Sequence, residues 1–242
     1  MRTAVVTGAS SGIGEACVRA LAADGWFVVG GARRLDRVET LAGEVGGLGL
    51  PLDVTDPDSV AAFCAQVPAC DLLVNNAGGA KGLRPIAEAQ DSEWRWMFET
   101  NVMGTLNMTR ALLPKLIAAP AASVINIVSI AGHYPYPGGA GYNAAKFAQS
   151  AVTQVLRQEM AGERVRVCEI DPGMAETEFS LVRFAGDAAA AARVYEGVEP
   201  LSAADVAEAI RWVAARPPHV NIDSLSILAR EQLGPTKTPA RK

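Results

Sequence analysis

Two side chains set the chemistry that this chain offers. Tyr142 and Lys146 are four residues apart, and on a helix that spacing places both on one face, about one turn apart. A phenol with its ordinary pKa of about 10 exchanges protons poorly near neutrality. A neighbouring ammonium favours the phenolate and lowers that value. Such a phenol gives a proton to a carbonyl oxygen during reduction, or takes one from an alcohol during oxidation. Ser129, closing the apolar run Ser123–Ser129, offers a hydroxyl to the same oxygen. A second signal lies near the start, where Thr3–Thr7 leads into Gly8-Ala9-Ser10-Ser11-Gly12-Ile13-Gly14 and then a helical pattern over Glu15–Ala23. Gly8 permits a tight turn, Gly12 lets the backbone approach a pyrophosphate, and Gly14 lets helix and strand pack closely. The helix start then presents unpaired N–H groups and a positive dipole end to the anion. Taken singly, these are an exposed helix face, a turn serine and a glycine in a strand-to-helix turn; together they describe a site.

The elements that must position these residues follow from the apolar pattern. Short runs rich in Val, Ile and Leu read as strands over Thr3–Thr7, Trp26–Gly31, Leu48–Leu52, Leu72–Asn75, Ser123–Ser129, Val165–Ile170 and Ile222–Leu228. They lack polar alternation, which predicts a parallel sheet covered on both faces. Longer segments with helical spacing lie between them. Trp94, Met97, Phe98, Asn101, Val102, Thr105, Met108, Leu112 and Leu113 trace one face of a single helix. Asp56-Pro57-Asp58 reads as a capped helix start, and the alanines of Ala185–Arg193 as a short helix. The expected fold is α/β: a single-domain, doubly wound Rossmann-type sheet of about seven parallel strands with helices on both faces. That domain is expected over 1–233, with a flexible basic tail over 234–242 carrying Lys237, Arg241 and Lys242.

The glycine spacing resembles that of the short-chain dehydrogenase/reductase family, and the likeness extends along almost the whole chain. Asn75-Asn76-Ala77-Gly78 resembles the family's N-N-A-G element. Asn101, Ser129 and Tyr142-Asn143-Ala144-Ala145-Lys146 fall in the order and spacing of its catalytic asparagine, serine and Y-x-x-x-K. Pro172-Gly173 resembles its P-G turn. The resemblance implies catalysis by Asn101, Ser129, Tyr142 and Lys146, with Asn101 holding a water that links the lysine to solvent. It also implies a nicotinamide coenzyme held by Gly8, Ser10, Ser11, Gly12, Ile13, Gly14, Asp53, Val54, Asn75, Ala77, Gly78, Tyr142, Lys146, Pro172, Gly173 and Thr177. The coenzyme supplies the hydride, and the protein supplies position and electrostatics. In sheets that bind NAD, an acid about 20 residues past the glycines holds the ribose 2′-hydroxyl. Here that place reads Gly30-Gly31-Ala32-Arg33-Arg34, with no acid before Asp36. A guanidinium suits a phosphate and a carboxylate repels one. NADP is therefore expected, with Arg33 as the main 2′-phosphate partner and Ser10 or Arg34 assisting.

Thr177–Asp187 is similar to a segment of the family's NADP-dependent 3-hydroxy acid dehydrogenases, a subgroup that includes serine 3-dehydrogenase and malonic semialdehyde reductase. The resemblance implies a small 3-hydroxy acid and its oxo acid or semialdehyde. Arg183 is the expected carboxylate partner, unless it pairs with Glu178; Lys81 is a weaker second cation. The loop His133–Pro137 is expected to wall the pocket. Two other functions are compatible with the same residues: reduction of a bulkier carbonyl such as a 3-oxoacyl thioester, and coenzyme sensing without turnover. The net charge of −4 argues against nucleic acid as a partner, and no apolar run reaches the length of a membrane span. The short apolar stretch at the N-terminus does not read as a secretion signal, so the cytoplasm is the expected location. Cys17, Cys64, Cys70 and Cys168 are scattered, with no C-x-x-C pair, so no metal site is expected. A homotetramer is implied by the resemblance.

Overall fold

A computed structural model of the 242-residue chain describes residues 1–234 and the backbone of 236–237. The seven apolar runs form the seven strands of one sheet: β1 (Thr3–Thr7), β2 (Phe27–Ala32), β3 (Leu48–Pro51), β4 (Leu72–Asn75), β5 (Ala122–Ile127), β6 (Val165–Pro172) and, after two short strands β7 (Ala175–Glu176) and β8 (Leu201–Ser202), β9 (Ser224–Ile227). Their order is β3-β2-β1-β4-β5-β6-β9, and every neighbouring pair is parallel. The order reverses between β1 and β4, so a crevice opens there at the carboxyl ends of the strands, where such sheets bind ligands. A final hairpin, β10 (Gln232–Leu233) with β11 (Thr236–Lys237), takes up the start of the expected flexible tail; the rest of that tail lies outside the described residues.

Alternate strand residues feed two cores, as a sheet buried on both faces requires. Ala4, Val6, Leu72, Val74, Ile125 and Ile170 pack against α1 (Gly12–Ala23), α2 (Leu35–Val45) and α9 (Ala203–Ala214). Val5, Val29, Leu73, Val124 and Val167 face the other way, onto α3 (Pro57–Gln66), α5 (Gly104–Ala118) and α6 (Ala140–Glu159). Phe63, Leu112, Leu116 and Ile210 are fully buried, each contributing about 1.5–3 kcal/mol through burial. Helix starts follow the sequence signals. Asp56 caps α3 by accepting from Asp58 N at 3.0 Å, with Pro57 in the first turn. The alanine segment is helical as α8 (Ala188–Arg193), behind the short α7 (Phe179–Arg183).

One expected element differs. The apolar stripe from Trp94 to Leu113 is not one regular helix. α4 (Asp91–Phe98) runs into a π turn over Glu99–Met103, and α5 continues from Gly104. A π turn inserts an extra residue into the helix and frees a carbonyl. The Asn101 side chain sits in this turn, its Nδ2 donating to Met97 O at 2.7 Å.

Candidate active site

The first βα turn is built around two glycines. Gly8 has φ +66°, a left-handed conformation that costs glycine little. A Cβ on Gly14 would lie 2.3 Å from Gly8 O and 2.5 Å from Asn76 Nδ2, so only glycine lets α1 sit this close to β1. Gly14 therefore supports the turn from beneath, while Gly8, Ser10, Ser11, Gly12 and Ile13 line the cavity. That cavity has a volume of about 950 Å³ and runs across the reversal point, from Arg33, Asp53 and Val54 past Ala77 and Gly78 to Ser129, Tyr142, Lys146, Pro172, Gly173, Thr177 and Arg183. The candidate residues thus come together from nearly every part of the chain.

One expectation changes. The Asn75 side chain does not reach the cavity. It is buried, and its Nδ2 donates to Thr109 Oγ1 at 3.0 Å and Asn126 Oδ1 at 2.8 Å. β4 ends at Asn75, whose side chain points into the helix layer. Asn76 is the asparagine that lines the cavity, and its Nδ2 holds Thr7 O at 2.9 Å. Asn101 is buried and held at both ends of its amide. Its Nδ2 also donates to Gly79 O at 2.9 Å, and its Oδ1 accepts from Gly79 N at 3.1 Å. Gly78 is wedged between it and Lys146, since a Cβ there would lie 2.6 Å from Asn101 Oδ1 and 3.7 Å from Lys146 Nζ. Asn101 thus fixes the loop after β4 through its side chain.

The two arginines after β2 are held differently. Arg34 donates to Ser10 Oγ at 3.1 Å and Ser11 Oγ at 2.6 Å, and pairs with Glu178 at 2.7 Å. Arg37 shares the same Glu178 carboxylate at 2.9 Å. Arg33 makes no hydrogen bond or ion pair among the described residues and lines the cavity beside Asp53. Burial opposes ionisation of Asp53, but the Thr55 hydroxyl and N–H and the Arg33 charge together hold its carboxyl below the usual range. This cradle, with a glycine turn, a helix start and two guanidinium groups, fits a dinucleotide that carries an extra phosphate.

Tyr142 and Lys146 stand on α6, both buried. The Lys146 Nζ lies 5.7 Å from the Tyr142 ring centroid and donates to Ile127 O at 2.9 Å and Gln149 Oε1 at 2.7 Å. Ser129, two residues past the end of β5, donates to Pro172 O at 3.3 Å and accepts from Ala131 N at 3.1 Å. Burial pushes the Tyr142 phenol above its ordinary value, with Tyr136 adding to the rise; the Ser129 hydroxyl and the Arg183 charge pull it back. The expected acidifying effect of Lys146 is not among these influences. Burial instead brings the Lys146 ammonium down to about 7, against the opposing pull of Asp171.

Arg183, at the end of α7, donates through Nε to Gly82 O at 2.9 Å and through Nη1 to the Tyr136 hydroxyl at 3.0 Å. Its Nη2 is buried without a hydrogen-bond partner. The expected alternative, pairing with Glu178, does not occur, because Glu178 serves Arg34 and Arg37. Lys81 lies over the Trp96 ring at 4.9 Å and does not line the main cavity. In the loop His133–Pro137 the wall residues are Tyr136 and Pro137; His133 points elsewhere. Trp96 and Gln232 also line the cavity and were not marked by any motif.

Comparisons with known proteins follow the same outline. A family model described as short chain dehydrogenase matches residues 2–186. An uncharacterized oxidoreductase of Mycobacterium tuberculosis is 55% identical over 231 residues, covering 96% of this chain and 92% of the relative. Serine 3-dehydrogenase of Agrobacterium fabrum is 42% identical over 236 residues, covering 95% and 94% of the two chains. Among solved structures, the closed form of serine dehydrogenase complexed with NADP+ superposes with a TM-score of 0.93 at 37% identity, covering 99% of this chain and 100% of the other.

Proposed function

The chain belongs to the short-chain dehydrogenase family, and on that footing we propose that it is an NADP-dependent oxidoreductase interconverting a small 3-hydroxy acid and its 3-oxo acid or semialdehyde. The observation that carries the substrate class is Arg183 in the cavity wall, its guanidinium 5.9 Å from the Tyr142 ring centroid and its buried Nη2 without a hydrogen-bond partner. A buried donor left without a partner costs about 1–3 kcal/mol. A carboxylate removes that cost and matches the planar fork of donors. A 3-hydroxy acid has its reacting oxygen and its carboxylate only a few bonds apart, so one molecule can meet Tyr142 and Arg183 together.

When bound, NADP supplies or accepts the hydride. Arg33 is the residue left for its 2′-phosphate, with Ser10 and Arg34 already joined beside it. Tyr142 exchanges the proton at the substrate oxygen, and Ser129 orients that oxygen. An ordinary phenol is already protonated near neutrality, so Tyr142 gives its proton to the substrate oxygen in reduction and takes it back in oxidation. Lys146, with its ammonium brought to about 7, both takes and gives a proton near neutrality. Asn101 acts as a positioning residue through Gly79.

The assembly proposed is a homotetramer. Phe98 on α4, and Phe147 and Val155 on α6, are 44%, 42% and 52% exposed, a set of large apolar side chains on two packed helices that favours burial by another copy. The proposed location is the cytoplasm: all four cysteines are free and buried, and no helix among the described residues is long and apolar enough to cross a membrane.

The test is an oxidation screen, with NADP and with NAD, over serine, allo-threonine, 3-hydroxypropionate, 3-hydroxyisobutyrate and neutral secondary alcohols. Turnover of hydroxy acids with a preference for NADP is expected. Turnover confined to neutral alcohols, or equal use of both coenzymes, overturns the assignment.

A further inference from the structure

Outside the cavity, three side chains from two segments converge. His133 Nε2 lies 3.1 Å from Glu169 Oε1 and 3.2 Å from Asp171 Oδ1, and the three donor atoms all lie within 4.8 Å of one another. Glu169 and Asp171 alternate with Ile170 on β6 and so share a face; both are buried, Asp171 completely. His133 follows the turn Ile130–Gly132 and is the half-exposed member.

The neighbours aim these carboxylates. Ser150 Oγ donates to both Glu169 oxygens, at 3.1 and 2.9 Å, and Ser224 Oγ donates to Asp171 Oδ2 at 2.8 Å. Outer hydrogen bonds of this kind orient metal ligands. The other Asp171 oxygen, Oδ1, is buried and has no hydrogen-bond partner, and neither has His133 Nε2. A neutral ring nitrogen presenting its lone pair to two carboxylates would be repelled. A ring N–H would be drawn into line with one oxygen, yet it meets neither in hydrogen-bond geometry. A cation seated among the three atoms resolves the arrangement. Metal–ligand bonds of about 2.1 Å set neighbouring donors roughly 3.0 Å apart at right angles and roughly 3.4 Å apart at the tetrahedral angle; the observed 3.1 and 3.2 Å fall between.

We propose that His133, Glu169 and Asp171 form a binding site for one divalent transition-metal ion, of the kind that accepts mixed imidazole and carboxylate ligands. Water completes the shell on the exposed side of His133. The ion fastens β6 to the segment that follows Ser129, and so braces the site from behind without entering the cavity. No short spacing in the sequence marks these ligands, because the histidine precedes the nearer carboxylate by 36 residues.

Zn²⁺ and Co²⁺ are the probes. The full chain, stripped of metal by a chelator, is titrated by calorimetry with Zn²⁺ and by visible absorption with Co²⁺. Circular dichroism and NADPH binding check that the variants His133→Ala and Glu169→Gln are folded. One saturable equivalent is expected, with a Co²⁺ spectrum free of thiolate character. Binding should fall at least tenfold in each variant, and Zn²⁺ at a hundredfold excess over its Kd should raise the melting temperature by about 5–10 °C. No saturable binding, or binding that persists undiminished in both folded variants, overturns the proposal. Neither outcome depends on what substrate the cavity takes.

Discussion

A lysine taken out of water and given only two neutral partners holds its proton weakly. Lys146, brought to about 7 from an ordinary 10.5, gives a linkage with a definite sign. The folded protein releases this proton at lower pH than the unfolded chain, so the unfolded state binds more protons between those values and stability rises with pH across that window. Below about pH 7 the full cost of the buried charge is present. Comparing the protein with Lys146→Met by urea unfolding should show the difference in stability moving in favour of the parent by up to about 1.4 kcal/mol per unit between pH 7 and 9. A constant difference would show that the ammonium is not strained by burial. At Arg183 the prediction concerns affinity. Arg183→Met should raise KM for 3-hydroxy acids by about 10- to 100-fold, the loss of one charge-assisted hydrogen bond, and leave neutral alcohols nearly untouched; steady-state kinetics on both classes checks it. The Tyr142–Lys146 pair was legible in the sequence because four residues on a helix fix a geometry. The partners of Arg183 were not, because Gly82 and Tyr136 are 101 and 47 residues away and only the folded chain brings them close.

At the scale of elements, the glycine turn is the joint between β1, α1 and the loop after β4. Adding one methyl group at Gly14 would drive a Cβ against Gly8 O and Asn76. Gly14→Ala should destabilise the protein by about 1–3 kcal/mol through overpacking, and should weaken NADPH binding because the turn that holds the phosphates must shift; a melting curve and a fluorescence titration read the two effects. Strand positions were legible because the buried runs are short, apolar and punctuated by Gly or charge. The π turn at Asn101 was not, since inserting one residue leaves the apolar stripe on either side intact. The asparagine at mid-helix is its only trace, and its side chain donates to Met97 O within the turn. The same blindness to orientation assigned Asn75 to the cavity in place of Asn76: a motif gives neighbours in the chain, and the end of β4 decides which of them faces the ligand.

For the whole molecule, the sheet reversal between β1 and β4 makes one cavity out of residues from Gly8 to Gln232. The layer opposite, on α4 and α6, carries exposed aromatic side chains. If that face joins copies, Phe147→Asp should lower the sedimenting mass from tetramer toward smaller species by burying a charge without a partner, while the isolated fold keeps its circular dichroism. An unchanged mass would place the interface elsewhere. Fold class was legible at this scale because alternating strands and helices leave few topologies, whereas the second, smaller cluster of His133, Glu169 and Asp171 had no counterpart in any motif.

The most direct test of the account is the turnover of Tyr142→Phe with a hydroxy acid that the parent oxidises, measured on protein shown by titration to bind NADPH as the parent does. Loss of the proton-exchanging hydroxyl predicts a fall in kcat of about 10²- to 10⁴-fold with coenzyme affinity unchanged. A kcat within a few-fold of the parent would contradict the assignment of Tyr142 as the group that trades a proton with the substrate.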